Sequence, residues 1–435
     1  MRRLALFLFA VVSCFAQDSV RKLTILHTND LHARLLPDSH NLGGFAYVAS
    51  VIRREREHCN HCLLVNAGDL VQGTPVSTLF KGTPVYEIAN LFGFDVSTLG
   101  NHEFDYGWKQ TKRFTEIANF PTVTANVVDS EGRLLTSAPY LIKEVNGIRV
   151  AIIGVVMGDL ISAYTTPDLT GPWKPLPVVE TVRKYAREVR GKSDLTVVLG
   201  HIGPEERHAI LRDVPEVDVI ITGHIHITNE EGYEGRVSVE GNAYGTEVGK
   251  LDLEVDVPHR KLISWKETRL AVDAGTVQPA SDVLALVTQW ERRVSDMVDV
   301  KIGVAKHDIG GPALKKLIEQ AMRHEMHADF AWMNQGGVRD RIPQGTVLAR
   351  NAWNIMPFDN KMAVAKMKGS EVPDVLRAGR KVDPAKEYTL AMPDFSATNE
   401  KERRVTGTAN VKFQITDRLL RDLIIDWIKK QGTLE

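Results

Sequence analysis

The sequence predicts an α/β protein with a large first domain over residues 20–270, a helical connector over 271–298 and a smaller α+β domain over 299–435. Short apolar runs of strand length alternate with amphipathic helical segments through the first 270 residues. Polar side chains follow one apolar run after another, as active-site loops do at one edge of a sheet packed between helices. After about residue 270, long helices replace this alternation.

The individual elements follow from the same periodicities. In the first domain, helices are expected at 45–57, 84–92, 108–118 and 178–190, and strands at 23–27, 63–66, 95–99, 122–127, 140–145, 148–156, 195–199, 218–222, 236–240 and 250–257. The Asn146-Gly147 turn joins two of these strands as a hairpin. Beyond the boundary, helices are expected at 281–297, 312–327 and 417–429, with a strand at 361–367.

Residues 1–16 have the pattern of an export signal, because Arg2-Arg3 precedes an apolar run at 4–12 that is too short to span a bilayer. Two processing routes fit the following residues. Cleavage after Ala16 leaves a soluble protein and is slightly favoured. Residues 11–14 instead resemble a lipoprotein cleavage box, which would leave a lipid anchor at Cys14. An exported protein, periplasmic or secreted, is therefore expected.

Cys59 and Cys62 form a CxxC sequence flanked by His58 and His61. In an exported protein such spacing favours a local disulfide. A Cys/His zinc site is the alternative. The net charge is −1 and shows no strong asymmetry along the sequence, so nothing argues for a basic face and no nucleic-acid polymer is expected as a partner.

Eight polar residues follow apolar runs of the first domain and form its candidate chemistry. They are Asp30, His32, Asp69, Asn101, His102, His201, His224 and His226. One histidine in a loop is usually a satisfied surface or core residue, but five at strand ends are hard to explain in that way. Carboxylate, amide and imidazole ligands together suit two divalent metal ions such as Mn, Zn, Co or Fe. One carboxylate can bridge such a pair in a hydrolytic site.

The order of these residues resembles that of the calcineurin-like metallophosphoesterases, and within them the 5′-nucleotidase family. The matching blocks are Asp30-x-His32, Gly68-Asp69, Gly100-Asn101-His102-Glu103, His201 and Gly223-His224-x-His226. In the second domain, Asn334-x-Gly336-Gly337-x-Arg339 and Pro357-Phe358-x-Asn360 resemble two further family loops. The resemblance implies a four-layer α/β/β/α metallophosphoesterase sandwich followed by a smaller substrate-binding domain.

The resemblance also implies roles for these residues. Asp30, His32 and His226 would hold one metal, Asn101, His201 and His224 the other, and Asp69 would bridge them. His102 would stabilise the transition state and protonate the leaving oxygen, with Asp105 orienting its ring. Many family members carry Gln or Asn where this chain has His226.

The second domain would bind the rest of a small phosphoester, most simply a nucleotide. Arg339 would hold phosphate oxygens, Asn334 a base edge, and Phe358 would stack on the base. The alternative is a structural role, in which Gly336-Gly337 only forms a tight turn and Phe358 belongs to the core.

The family pattern breaks after Phe395. A Gly-Gly-Asp-Gly-aromatic element is expected there, but the chain reads Ser396-Ala397-Thr398-Asn399. The family's arginines early in the second domain are also not clearly present, and Lys306 and His307 lie near their expected place. The sequence therefore predicts a 5′-nucleotidase-type phosphohydrolase. The alternatives are the same chemistry on a cyclic nucleotide, sugar phosphate or sulfur ester, and, less favoured, an inactive binding protein.

Overall fold

The computed structural model describes residues 20–158, 169–377 and 379–435. The predicted export signal at 1–16, with the predicted lipid anchor at Cys14, lies outside these residues. Within the described ranges, no helix has both the length and the hydrophobicity needed to cross a bilayer.

The first domain is built from two mixed sheets. Its strands are β1 (Val20–Thr28), β2 (Cys62–Asn66), β3 (Val96–Ser97), β4 (Val127–Val128), β5 (Tyr140–Val145), β6 (Ile148–Val156), β7 (Lys174–Pro175), β8 (Leu195–His201), β9 (Val219–Gly223), β10 (Asn229–Tyr233), β11 (Arg236–Glu240), β12 (Glu247–Asp256) and β13 (Lys261–Ala271). One sheet has the order β13-β12-β1-β2-β3 and the other β10-β11-β9-β8-β6-β5, while β4 and β7 form a short separate pair.

The helices of the first domain and connector cover the outer faces of the sheets. They are α1 (Phe45–Glu57), α2 (Pro75–Leu79), α3 (Thr83–Ala89), α4 (Trp108–Ile117), α5 (Val178–Val189), α6 (Pro204–Asp213), α7 (Ser281–Arg292) and α8 (Ser295–Val298). Ile25 of β1 and Val197 of β8 belong to the core between the sheets. Leu26 of β1 packs in a core with α1 and α3, and Val198 of β8 in another with α5 and α6. This alternation of facing residues produces the predicted α/β/β/α layers.

The second domain has two smaller sheets with their own cores. Its strands are β14 (Lys301–Ala305), β15 (Phe330–Ala331), β16 (Gly345–Leu348), β17 (Lys361–Lys368), β18 (Glu387–Pro393), β19 (Gln414–Leu419) and β20 (Thr433–Leu434). Its helices are α9 (Gly311–Glu325), α10 (Ala349–Ile355), α11 (Asp374–Arg377), α12 (Asp394–Thr398), α13 (Glu400–Val405) and α14 (Leu420–Gln431). The sheet orders are β16-β14-β20 and β15-β18-β17-β19.

Three predicted elements differ from the structure. The strand at 122–127 is replaced by isolated bridges and β4, because its backbone bonds to separate partners such as Thr136 Oγ1 and Gly154 O rather than to one ladder. The helix at 281–297 is divided into α7 and α8. The last helix begins at Leu420 instead of 417, since the preceding residues pair with β17 as β19.

Two features of the connecting segments bear on the sequence predictions. A disulfide joins Cys59 and Cys62, the pairing that the sequence favours over a zinc site. The connector helix α7 packs against α1, and its buried Val283 and Val287 extend the core of the first domain. The domain limits themselves stay predictions.

Candidate metal centre and active site

The candidate ligands converge because their strands run parallel. β1, β2 and β3 are mutually parallel neighbours in one sheet, and β6, β8 and β9 in the other. Parallel strands bring their carboxyl ends to one edge, which is where loops collect functional side chains. Asp69 follows β2, His201 ends β8 and His224 follows β9.

Five of the candidates have left-handed backbone conformations that non-glycine residues rarely adopt. They are Asp30, His32, Asp69, His224 and His226, with φ of 50°, 46°, 53°, 101° and 62°. Such conformations cost on the order of 1–3 kcal/mol each and persist only where the surroundings impose them. The loops are therefore held in shapes that direct these side chains to a common point.

The first cluster consists of Asp30, His32 and His226. The Nε2 atoms of the two histidines lie 2.9 Å apart, and Asp30 Oδ1 lies 3.2 Å from His226 Nε2 and 3.7 Å from His32 Nε2. Asp30 Oδ1 is buried and has no hydrogen-bond partner among the described residues. Two imidazole nitrogens facing one buried carboxylate oxygen are a donor set that suits a divalent cation.

The second cluster is centred on Asn101. Its Oδ1 lies 3.1 Å from His201 Nε2 and 3.1 Å from His224 Nδ1. His201 Nδ1 donates a hydrogen bond to the Ala67 carbonyl at 2.8 Å, which orients the ring so that its Nε2 faces the site.

Asp69 lies between the two clusters. Its Oδ2 is 3.1 Å from His201 Nε2 in the second cluster and 3.8 Å from His32 Nε2 in the first. Burial raises the pKa of Asp69, but His201 and His102 more than offset it, so the pKa lies well below the ordinary value. The carboxylate is therefore ionised at neutral pH, as a metal ligand must be.

Two buried glutamates shape the ligand loops. Glu103 accepts hydrogen bonds from the backbone N–H groups of Gly100, Asp69 and Leu70 at 2.6, 3.1 and 2.9 Å. Glu240 accepts one from Ile225 N, between His224 and His226, at 3.0 Å. No local sequence pattern reveals the role of Glu240, because this role depends on the pairing of β11 with β9.

His102 has the geometry of a proton donor. Its Nδ1 lies 2.8 Å from Asp105 Oδ2, while its Nε2 is 4.0 Å from Asp69 Oδ2. Burial lowers the pKa of His102, but Asp105 and Asp69 outweigh it and raise the pKa above the ordinary value. A ring oriented through Nδ1 can deliver a proton from Nε2.

A cavity of about 180 Å³ lies beside His102. It is lined by Asn101, His102, Asn334, Gly336, Gly337, Arg339, Phe358, Asn360 and Phe395. All three predicted substrate residues therefore lie together, and Phe395 lies with them. The Phe358 ring is 5.7 Å from the His102 ring, and Arg339 Nη2 is 3.1 Å from His32 Nε2. Asn334 is buried, and its Oδ1 accepts a hydrogen bond from Ser396 at 3.3 Å.

Lys306 and His307 lie away from this cavity. Lys306 pairs with Glu435 at 2.7 Å, and His307 lines a separate cavity with Trp427. Neither lines the cavity beside His102.

Contacts between the domains involve residues that the sequence does not single out. Arg34 donates to Asp340 Oδ2 at 2.6 Å and to the Arg339 carbonyl at 3.0 Å. Gln72 and Thr78 donate to the Pro357 carbonyl at 3.3 and 3.1 Å. Their roles arise only from the docking of the second domain, so no motif reveals them.

Comparisons with known proteins agree with this architecture. Residues 23–228 match the calcineurin-like phosphoesterase family, and residues 298–380 match the 5′-nucleotidase C-terminal domain. The fold and site thus define a calcineurin-like metallophosphoesterase, a metal-dependent phosphoric monoester hydrolase. The chain belongs to the 5′-nucleotidase family within that class.

Individual relatives share about a quarter of their residues with this chain. The chain is 26% identical to protein UshA of Yersinia enterocolitica, over 92% of this chain and 82% of UshA. It is also 26% identical to a 5′-nucleotidase of Vibrio cholerae, over 82% of this chain and 76% of that protein. It is 28% identical to endonuclease YhcR of Bacillus subtilis over 89% of this chain, but spans only 35% of that protein.

Solved structures share the fold. A 5′-nucleotidase precursor from Thermus thermophilus superposes with a TM-score of 0.85 at 23% identity, covering 95% of this chain and 97% of that one. The sulfate thiohydrolase SoxB from Thermus thermophilus superposes with a TM-score of 0.82 at 15% identity, covering 95% of this chain and 94% of that one.

Proposed function

We propose that this protein is an exported two-metal phosphohydrolase that releases phosphate from nucleotides, as a 5′-nucleotidase does. The observation that carries the proposal is the convergence of two ligand clusters, joined by Asp69, beside a cavity that contains His102 and Phe358. Relatives named 5′-nucleotidase support the substrate class.

The proposed metal ligands keep the sets that the family order implies. Asp30, His32 and His226 would hold one ion, Asn101, His201 and His224 the other, and Asp69 both. The buried Asp30 Oδ1, which has no hydrogen-bond partner among the described residues, and the His201 ring that is oriented through Nδ1 fit two divalent cations of the Mn, Zn, Co or Fe type. When bound, such ions activate water at neutral pH and neutralise phosphoryl charge.

The remaining residues handle the substrate. His102 Nε2 delivers a proton to the leaving oxygen, and Asp105 holds the ring through Nδ1. The Arg339 guanidinium binds phosphoryl oxygens, which suits its planar set of donors. Phe358 stacks on the base, with Phe395 in the same cavity, and Asn334 bonds the base edge.

Export is the second part of the proposal. The basic and apolar segment at 1–16 supports it, as does the Cys59–Cys62 disulfide, because disulfides persist in oxidising compartments. Mass determination of the amino terminus of the mature protein separates a start at Gln17 from a lipidated Cys14, and an uncleaved Met1 contradicts both routes.

The test of the activity is a phosphate-release screen of the purified protein with Mn, Zn and Co. The substrates are nucleoside mono-, di- and cyclic phosphates and sugar phosphates. Turnover of nucleoside 5′-monophosphates above the other substrates is expected. Fewer than one metal ion bound per chain, together with no turnover of p-nitrophenyl phosphate, contradicts the proposal.

A further inference from the structure

The loop at 356–360, which carries Phe358, is held from behind by an arginine of α14. Arg421 Nη1 donates hydrogen bonds to the carbonyl groups of Met356 and Phe358 at 3.2 and 3.4 Å. Its Nη2 donates to Asp359 Oδ1 at 2.7 Å. One guanidinium thus connects three residues of the loop.

Arg421 is buried, with 3% of its surface exposed. Its guanidinium lies over the Trp353 ring, 3.6 Å from the ring centroid. A planar guanidinium can stack on an aromatic face and donate hydrogen bonds from its edge at the same time, which an ammonium group cannot do. The position therefore uses the specific shape of an arginine and not only its positive charge.

The ion pair with Asp359 does not by itself account for this burial. The Asp359 side chain is 64% exposed, whereas that of Arg421 is 4% exposed. An ion pair with one partner in solvent contributes little to stability, while removing an arginine from water is costly unless its donors are used. The bonds to the two backbone carbonyls are therefore the part of the arrangement that depends on a buried guanidinium.

The same loop is held on its other sides as well. The Pro357 carbonyl accepts from Gln72 and Thr78 of the first domain at 3.3 and 3.1 Å. The Leu420 N–H donates to the Asn360 carbonyl at 2.9 Å. Since the loop lies between α10 and β17, outside both elements, donors from the two domains determine its course.

Phe358 is the half-buried residue at the centre of this loop, and its ring lines the cavity beside His102. Arg421 is not among the residues that line the cavity. We propose that Arg421 is a positioning residue, which fixes the Phe358 ring through the loop backbone for stacking on a planar group of the substrate. This inference rests on the proposed function, because that function assigns the stacking to Phe358.

The physical basis is preorganisation. A ring that is fixed before the substrate arrives loses less conformational freedom on binding, so more of the stacking energy appears as affinity. Arg421 should therefore affect the binding of substrates that have a planar ring and not those that lack one.

The test compares adenosine 5′-monophosphate with glycerol 2-phosphate, which has no ring, using the full chain with added Mn. Arg421→Lys keeps a positive charge but replaces the planar set of donors with one ammonium group. KM for adenosine 5′-monophosphate should rise by up to about tenfold, the scale of a lost stacking contact, while kcat changes little. Both constants for glycerol 2-phosphate should stay near the wild-type values.

A double-mutant cycle separates positioning from a general structural role. Arg421→Lys in a Phe358→Ala background should raise KM for adenosine 5′-monophosphate no further, because the ring to be positioned is already absent. A role limited to the stability of the second domain would instead add its effect to that of Phe358→Ala.

A second variant covers the case in which Arg421→Lys does not fold. Asp359→Asn changes an exposed side chain and leaves the buried arginine in place. It weakens the same contact from the side of the loop, so it should raise KM for adenosine 5′-monophosphate by a smaller factor, again without affecting glycerol 2-phosphate. Its own cycle with Phe358→Ala should also be non-additive.

The matched control is Arg418→Lys, which changes an arginine that pairs with Asp426 instead of with the loop. It should leave KM for both substrates at the wild-type values. Variant KM values equal to that of the control, proportional increases for both substrates, or additive cycles overturn the inference and leave the proposed function standing. Absence of turnover of adenosine 5′-monophosphate by the wild type overturns the proposed function and this inference with it.

Discussion

Arg34, two residues after the candidate ligand His32, donates a 2.6 Å hydrogen bond across the domain interface to Asp340, the residue that follows Arg339. Its second nitrogen donates to the Arg339 carbonyl at 3.0 Å. The side chains of the pair are 11% and 22% exposed, so the ion pair is largely shielded from solvent. One arginine thus connects the loop of the first metal cluster to the loop that carries the proposed phosphate-binding residue.

We expect Arg34→Ala to raise KM for nucleotides several-fold, because Arg339 loses the contact that positions its backbone. A double-mutant cycle with Asp340→Ala measures the coupling, which should be about 1–3 kcal/mol in transition-state binding. Additive effects of the two changes would show that the pair does not act as a unit.

Asp69→Asn should abolish turnover and reduce bound metal, since the amide keeps the shape of the side chain but removes the charge between the clusters. The loss should exceed the roughly 100-fold cost of losing an outer-shell partner of a metal site. Elemental analysis and steady-state kinetics are the measurements, with the exposed Asp374→Asn as control. Retention of most of the turnover would refute the two-metal proposal.

His102→Asn should lower kcat by about 10²–10⁴, the usual contribution of a general acid, while metal content stays near that of the wild type. His102 also lies near His32 and Asp69 in a group that could hold an ion. Loss of metal in proportion to activity would therefore identify it as a ligand instead.

Asp105→Asn tests the pH dependence of the acid. The protonated His102 is the active form, so kcat falls as pH rises through the His102 pKa. Asp105 is among the groups that raise this pKa. Its removal lowers the pKa and should move the alkaline limb of the kcat profile to lower pH, while the exposed Asp296→Asn leaves the limb in place. An unchanged limb in Asp105→Asn means that His102 is not the acid.

Phe358→Ala should raise KM for nucleoside monophosphates by about tenfold, because a stacking contact contributes roughly 1 kcal/mol beyond its buried area. KM for glycerol 2-phosphate, which has no ring, should change little. Equal increases for both substrates would assign Phe358 to packing between the loops.

The sequence by itself determined the layered α/β class, the strand ends that carry Asp30, Asp69 and His224, and the family to which they belong. These features are local, because the periodicity of the hydrophobic residues predicts each strand and each ligand directly follows its own strand. Local periodicity was less informative at 122–127, where the backbone bonds to scattered partners rather than to a ladder.

Only the tertiary structure decided which distant groups support the site. Glu240 reaches the Ile225 amide because β11 lies beside β9, and Arg34 reaches Asp340 because the second domain docks on the first. Phe395 joins Phe358 in one cavity although the Gly-rich family element is absent. Such contacts link residues up to about 300 positions apart, and no local pattern encodes a packing relationship at that separation.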